Sequence, residues 1–411
     1  MPSPQEIIAQ PLTLPNGQVV PNRLLKSAMS ETMGTAGNAP KPELATLYGR
    51  WADGGIGLNV TGNVMVDRRA LGEPGNVAIE DERDLAALSD WAREAKRGGG
   101  LVYVQLNHPG RQAPAFLNER CVAPSVVPLH PSYRTLFRPP EALEGDEIEA
   151  IIERFATAAA VCEKAGFDGV QIHGAHGYLV SQFLSPLTNT RDDQWGGSGE
   201  NRRRFVIAIA RAIRAATSPG FGLAIKINSA DFQRGGITEE ESAETIKALA
   251  GEGLDFIEVS GGTYEAPAMI SNRKKSTQER EAYFLAFAER IRDQIDVPLV
   301  VTGGFRSDTA MAEALESGAI DLVGIARPTA IDPDFPNKLL NEPGTRIEVP
   351  RRLTGIGFFD KMGMFELTWY ERQMHRMGAG KEPKPRENPL LAAIAHSFSM
   401  GFGIFKTRRA R

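Results

Sequence analysis

Residues 171–205 read QIHGAHGYLVSQFLSPLTNTRDDQWGGSGENRRRF, and a short apolar run, DGVQI at 168–172, leads into them. The run reads as a strand emerging from a core. His173 and His176 follow it, with Tyr178 two residues on. A strand end that presents two imidazoles and a phenol in one place has the make-up of a site. A polar loop rich in Gly, Asn, Asp and Arg fills 189–201 before a helical pattern resumes. An ordered loop of that length is costly unless it packs or binds something.

Working outward, the same strand-then-helix rhythm runs through most of the chain. Strands are expected at 23–30, 56–61, 101–105, 168–172, 222–228, 256–260, 298–302 and 322–326. Helices are expected at 43–53, 81–97, 147–165, 201–216, 239–251, 279–294, 308–317 and 334–340, with glycines ending several of them. Pro15-Asn16-Gly17 is a turn signal. Eight apolar strands alternating with helices predict a TIM (β/α)8 barrel, with its site at the C-terminal strand ends. A doubly wound sheet would want a Gly-rich turn after an early strand, and Ser27-Ala28-Met29-Ser30 offers none. Between the third strand and the next helix, 107–144 is proline-rich and aperiodic. That segment reads as a cap loop over the barrel, with a hairpin inside it.

The composition narrows the function. The chain has 411 residues, 42% hydrophobic, with formal charge −4. That suits one large globular domain with extensions, and it argues against a nucleic-acid surface. Two cysteines, Cys121 and Cys162, build neither a disulfide framework nor a cysteine-ligated cluster. Residues 1–10 lack a basic segment followed by an apolar one, so a cytoplasmic location is expected. His173 and His176 are open to two bland readings, hydrogen-bonded core histidines or half a metal site. A metal would need further ligands at other strand ends, and His108 alone offers itself. Gly303 and Gly304 follow the seventh strand, and Ala326 and Arg327 end the eighth. There a barrel commonly holds a phosphate on backbone amides and a guanidinium. Lys226 lies inside an apolar strand run, which is costly unless the charge is paired or functional.

The motif H-x-A-H-G-Y-L at 173–179, F-L-x-P at 183–186 and N-x-R-x-D-x-W-G-G-S-x-E-N-R-x-R-F at 189–205 resembles the signature of the Old Yellow Enzyme family. That is the NADH:flavin oxidoreductase / NADH oxidase family of FMN-binding barrels. The resemblance spans roughly residues 5–345 and implies noncovalent FMN, with NADPH or NADH as hydride donor. It implies that Ala28, Met29, Ser30, Gly62 and Gln105 line the flavin ring, and that Lys226 sits over its N1 and O2. Gly303, Gly304, Ala326 and Arg327 take the FMN phosphate. By the same resemblance His173 and His176 bind the carbonyl of a substrate with an activated C=C bond, and Tyr178 protonates its alpha carbon. This chain departs from relatives at Ser30 (cysteine or threonine), Thr32 (tyrosine in some), Lys226 (arginine) and Ala326 (glycine).

The resulting expectation is an ene-reductase, with domain limits at 1–345 and 346–411. A metal-dependent barrel hydrolase and a flavin-binding scaffold without turnover stand as alternatives. The larger iron–sulfur relatives are excluded by the cysteine count. In the extension, 366–377 is expected to be helical and 378–389 a linker. Residues 390–405 are apolar and precede a basic end, KTRRAR at 406–411. This tail either packs on the barrel or a neighbouring subunit, which leaves a homo-oligomer open, or touches a membrane surface. It is too short to span one.

Overall fold

A computed structural model describes residues 2–262, 265, 281–354 and 364–400. Eight parallel strands close into a barrel: β1 Leu24–Lys26, β2 Leu58–Val60, β3 Leu101–Asn107, β4 Gly169–Gly174, β5 Gly222–Asn228, β6 Phe256–Ser260, β7 Leu299–Thr302 and β8 Leu322–Ile325. Each pairs with the next, and β8 returns to β1. Helices Pro42–Asp53, Leu85–Ala95, Gly145–Ala165, Gly199–Ala216, Glu239–Ala250, Leu285–Arg292, Asp308–Glu316 and Phe335–Asn341 follow the strands in turn. The barrel predicted from the sequence is thus the observed fold. The predicted first strand, 23–30, shrinks to Leu24–Lys26. Its neighbours end at Val60 and Ile325, so the chain beyond Ser27 has no ladder to join. Three short helices, Pro4–Ile8, Leu179–Leu184 and Arg327–Ile331, were not expected. The expected helix start at 279–280 lies outside the described residues.

Alternation along the strands sorts the side chains into two layers. Leu25, Leu58, Val60, Tyr103, Ala224, Phe256, Val300 and Leu322 meet inside the barrel. Val104, Ile172, Ile225, Val259, Val301 and Val323 face the helices. Tyr103 fills the floor because β4 and β5 carry glycine beside it. A Cβ at Gly169 or Gly222 would overlap its ring.

One device repeats at the closed end. Asp168, Asp255 and Asp321 stand just before β4, β6 and β8. Their carboxylates accept the N–H of Val102, Leu223 and Leu299 at 2.8, 2.7 and 2.8 Å, on the strand before each. A basic residue from the neighbouring helix meets each one: Lys96 at 3.2 Å, Arg214 at 2.7 Å and Arg292 at 2.9 Å. These acids satisfy strand starts, at the end of the barrel opposite the site.

The cap segment contains no hairpin of the expected kind. Val122–Ala123 and Glu141–Ala142 pair in parallel, and Pro114 and Phe137 form one antiparallel bridge. Prolines at 124, 128, 131, 139 and 140 remove the donors that a longer ladder would need. The polar loop at 189–201 ties this cap down. Arg191 donates to the carbonyls of Pro124 (3.0 Å) and Leu143 (2.6 Å), and the Asn189 amide donates to Phe183 and Trp195, both at 2.8 Å. Packing therefore accounts for the length of that loop.

The extension folds back onto the barrel. Helix Met364–Gly378 buries Trp369 and packs on helix Pro42–Asp53. Helix Pro389–Met400 lies on it through Ala392, while Leu391 and Ile394 remain exposed. No helix among the described residues is long and apolar enough to cross a membrane. The basic end at 406–411 lies outside the described residues.

Candidate active site

The inner face of the barrel changes character toward the C-terminal strand ends, where apolar side chains give way to a hydrogen-bonded polar belt. Gln105 Nε2 donates to Gln171 Oε1 at 2.8 Å, and Gln171 Nε2 donates to Glu258 Oε2 at 2.8 Å. Thr302 Oγ1 donates to Glu258 Oε1 at 2.7 Å and pairs with Ser27 Oγ at 2.7 Å. The belt joins β3, β4, β6, β7 and the end of β1. Gly324 on β8 makes room for it, since a Cβ there would overlap the Thr302 hydroxyl. Lys226 on β5 completes the belt with an ion pair to Glu258 at 3.0 Å. Burial works against the Glu258 charge. Lys226 and the donors Thr302 and Gln171 outweigh it and hold the carboxyl below its usual range.

Above the belt, β4 delivers His173, in register with Lys226. His173 Nδ1 accepts the Ala175 N–H at 3.3 Å, which leaves Nε2 as the N–H donor. His176 has a left-handed backbone (φ 60°), held by its N–H on Asn228 Oδ1 (3.3 Å) and by Gln112 Nε2 on its carbonyl (3.1 Å). Its Nε2 lies 3.0 Å from Ser260 Oγ. The two imidazoles meet edge to face at 5.2 Å, and the Tyr178 ring lies 4.8 Å from His173. Tyr178 takes this place because it is the N-cap of the short helix Leu179–Leu184. Burial and then the nearby Lys226 push His176 down to about 3. Burial, then His176 and Lys226, push His173 well below the usual range. Both rings are neutral at physiological pH. No three His, Cys, Asp or Glu side chains among the described residues are grouped to hold a metal.

The remaining expected residues surround this mouth in varied states. Ala28, Met29 and Ser30 follow β1, half-buried. The Ser30 hydroxyl donates to the Glu73 carboxyl and reaches Asn63 Oδ1 at 3.3 Å. Gly62 follows β2, but its N–H donates to Glu31 Oε1 at 2.8 Å. Gly303 and Gly304 have positive φ, 144° and 94°, which other residues rarely adopt. Ala326 caps helix Arg327–Ile331, and Arg327 lies 3.5 Å from the buried Glu366 of the extension. Thr32 faces the extension as well. His375 Nε2 stands 2.8 Å from the Glu31 carbonyl and 3.1 Å from Thr32 Oγ1.

Sequence reading missed Glu258, Gln171, Thr302 and Ser27. One signal was there for Glu258: a carboxylate in the apolar run 256–260, one strand after the lysine in 222–228.

The sequence profile of the NADH:flavin oxidoreductase / NADH oxidase family matches residues 8–343. The chain belongs to that family. It is an FMN-dependent oxidoreductase of the Old Yellow Enzyme type, with a nicotinamide donor. The NADH-dependent flavin oxidoreductase iliE of Hypocrea jecorina (strain QM6a) is 39% identical over 354 residues, covering 80% of this chain and 88% of the relative. The NADPH dehydrogenase of Clostridium acetobutylicum (strain ATCC 824) is 33% identical over 288 residues, covering 69% and 79%. Among solved structures, a 2-naphthoyl-CoA reductase complex superposes with TM-score 0.75 at 27% identity, covering 82% of this chain and 52% of that one. Morphinone reductase in complex with tetrahydroNAD superposes with TM-score 0.68 at 25% identity, covering 85% and 93%.

Proposed function

We propose that this family member is an ene-reductase, which uses NADH or NADPH to reduce the activated C=C bond of an α,β-unsaturated carbonyl compound. The observation that carries the reading is the meeting of two neutral imidazoles and a phenol beside Lys226 at the barrel mouth. Bound FMN would supply the hydride relay between nicotinamide and alkene.

The donors present fit that cofactor. The Lys226 ammonium and Gln105 amide suit an acceptor-rich ring edge, with Ala28, Met29, Ser30 and Gly62 around it. Gly303 and Gly304, with positive φ and the Tyr283 ring packed at them, follow β7 and would take the phosphate with Ala326 and Arg327, which follow the adjacent β8. The Asn107 amide lies on the inner face two residues beyond Gln105, 1% exposed, with no protein partner on either polar atom. Such a group is left for a ligand. In this reading residues 1–345 form the catalytic barrel and 346–411 the extension.

The residues then divide the work. His173 and His176 donate N–H groups to the substrate carbonyl, and stabilise the negative charge that grows on its oxygen as hydride reaches the beta carbon. Tyr178 passes its proton to the alpha carbon and regains one from solvent. Hydride and proton together give the saturated carbonyl. The test loads the purified chain with FMN and adds NADPH or NADH and cyclohexenone under nitrogen. Cyclohexanone is the expected product; nicotinamide oxidation only when oxygen or a quinone is admitted would overturn the reading.

A further inference from the structure

Glu258 is the one anion in the polar belt, and it has no part in the chemistry just described. It is 0% exposed, and its two oxygens are filled by Lys226 at 3.0 Å, Thr302 at 2.7 Å and Gln171 at 2.8 Å. Two consequences follow from a carboxylate in that position.

The first is polarity. An ionised carboxylate only accepts, so Gln171 must turn its NH2 toward Glu258 and its oxygen toward Gln105. Gln105 is then fixed with its own NH2 on Gln171. Glu258 thereby sets the orientation of two amides on β3 and β4 from its seat on β6.

The second is charge. A lysine alone in a low-dielectric mouth projects a full positive charge. With a carboxylate 3.0 Å from the ammonium, the pair presents a dipole of zero net charge. Flavin reduction takes up two electrons and one proton and leaves one negative charge on the ring. A bare cation favours that product more than a paired one does.

We infer that Glu258 is a positioning residue that lowers the potential of bound FMN, by holding Lys226 in place and offsetting its charge. This rests on the reading of Lys226 as the flavin-facing cation. The residue works through Lys226 and Gln171, and touches neither substrate nor reacting atoms.

The experiment measures the midpoint potential of the FMN-loaded full chain by dye equilibration, for the parent, Glu258→Gln, Lys226→Met and the double variant. Glu258→Gln should shift the reduction equilibrium toward reduced FMN by about tenfold, which is about 30 mV for a two-electron couple. Lys226→Met should shift it the other way. The double variant, uncharged like the parent pair, should return to within about threefold of the parent. Glu258→Asp keeps the charge and should stay on the parent's side of Glu258→Gln. Should Lys226→Met shift the potential while Glu258→Gln does not, the Glu258 inference falls and the reading of Lys226 stands. Should neither move it, the reading of Lys226 falls first. If Glu258→Gln fails to fold or to hold FMN, the double variant decides. A potential near the parent supports the inference, and one equal to that of Lys226→Met overturns it.

Discussion

Two lysines are buried against glutamates in this barrel, on opposite faces of the same wall. Lys226 on β5 points inward and meets Glu258 at 3.0 Å amid amides and hydroxyls. Lys26 on β1 points outward, under helix Pro42–Asp53. It donates to Tyr48 OH (3.0 Å) and the Val60 carbonyl (2.8 Å), lies 4.3 Å from the Trp51 ring centroid, and has Glu31 at 3.8 Å. Burial pushes Lys26 down to about 8 and raises Glu31, whereas Glu258 is held low. Glu31 also accepts from Tyr48 and from the Gly62 N–H, so the outer pair clamps the ends of β1 and β2 to a helix. A buried charge alone therefore does not mark a site. The wall face it occupies decides whether the side chain is directed at the barrel mouth or at the scaffold.

That contrast breaks most visibly if inner-face changes act on stability rather than chemistry. Tyr178→Phe should slow enone reduction by about 10²–10⁴, the range for a lost general acid. Reoxidation by quinones, which needs no proton at carbon, should stay near the parent rate. Stopped-flow measurement of flavin reduction by NADPH or NADH and of its reoxidation by the enone checks this, and equal slowing of both would assign Tyr178 to nicotinamide binding or packing.

The outer pair should behave in the opposite way. Glu31→Gln leaves Lys26 buried without its counter-ion and should lower stability by about 3–5 kcal/mol, as broken buried pairs do. Denaturant unfolding would show the loss. A change in flavin potential as large as that from Lys226→Met would erase the distinction between the two faces.

Arg327→Ala removes the guanidinium that the proposed function assigns to the FMN phosphate. It should weaken FMN binding by about 1.5–3 kcal/mol, the usual range for a charge-assisted contact. Fluorescence titration of the apoprotein with FMN measures this. Unchanged affinity would mean that Arg327 serves Glu366 alone.

The smallest effect is a titration. His173 is pushed far down in the folded state, mainly by burial, so the unfolded chain binds a proton below pH 6.5 that the native state refuses. Stability is then unaffected above pH 6.5 and falls as pH drops below it. From pH 6.5 to 5.5 this group costs the parent about 1 kcal/mol that His173→Asn does not lose. Parallel unfolding curves at the two pH values test it, and identical slopes would mean that native His173 binds a proton as readily as the unfolded chain does.

Much of the mouth was legible because its parts are close in the chain. His173, His176 and Tyr178 lie within six residues, at the end of one strand run, so strand period and motif were enough to place them together. The hairpin expected in 107–144 failed because proline density says only that a ladder is interrupted, and not which short pieces pair. Ser30 and Gly62 were legible as positions at strand ends. Their engagement with Glu73 and Glu31 was not, because each partner comes from a separate loop.

What the sequence by itself determined is the count and order of strands, and hence the barrel, its open end and the residues beside that end. Apolar runs of strand length alternating with helices have few other ways to bury both faces. Only the tertiary structure decided which side of the wall each charge occupies and what it meets there. Glu258 finds Lys226, Gln171 and Thr302 across three different strands, and Glu366 and His375 fold back onto Arg327 and Thr32 from the extension. The reason is physical. Alternation along a strand says that neighbours face opposite ways, but inward and outward exist only once the barrel has closed and register has set strand against strand.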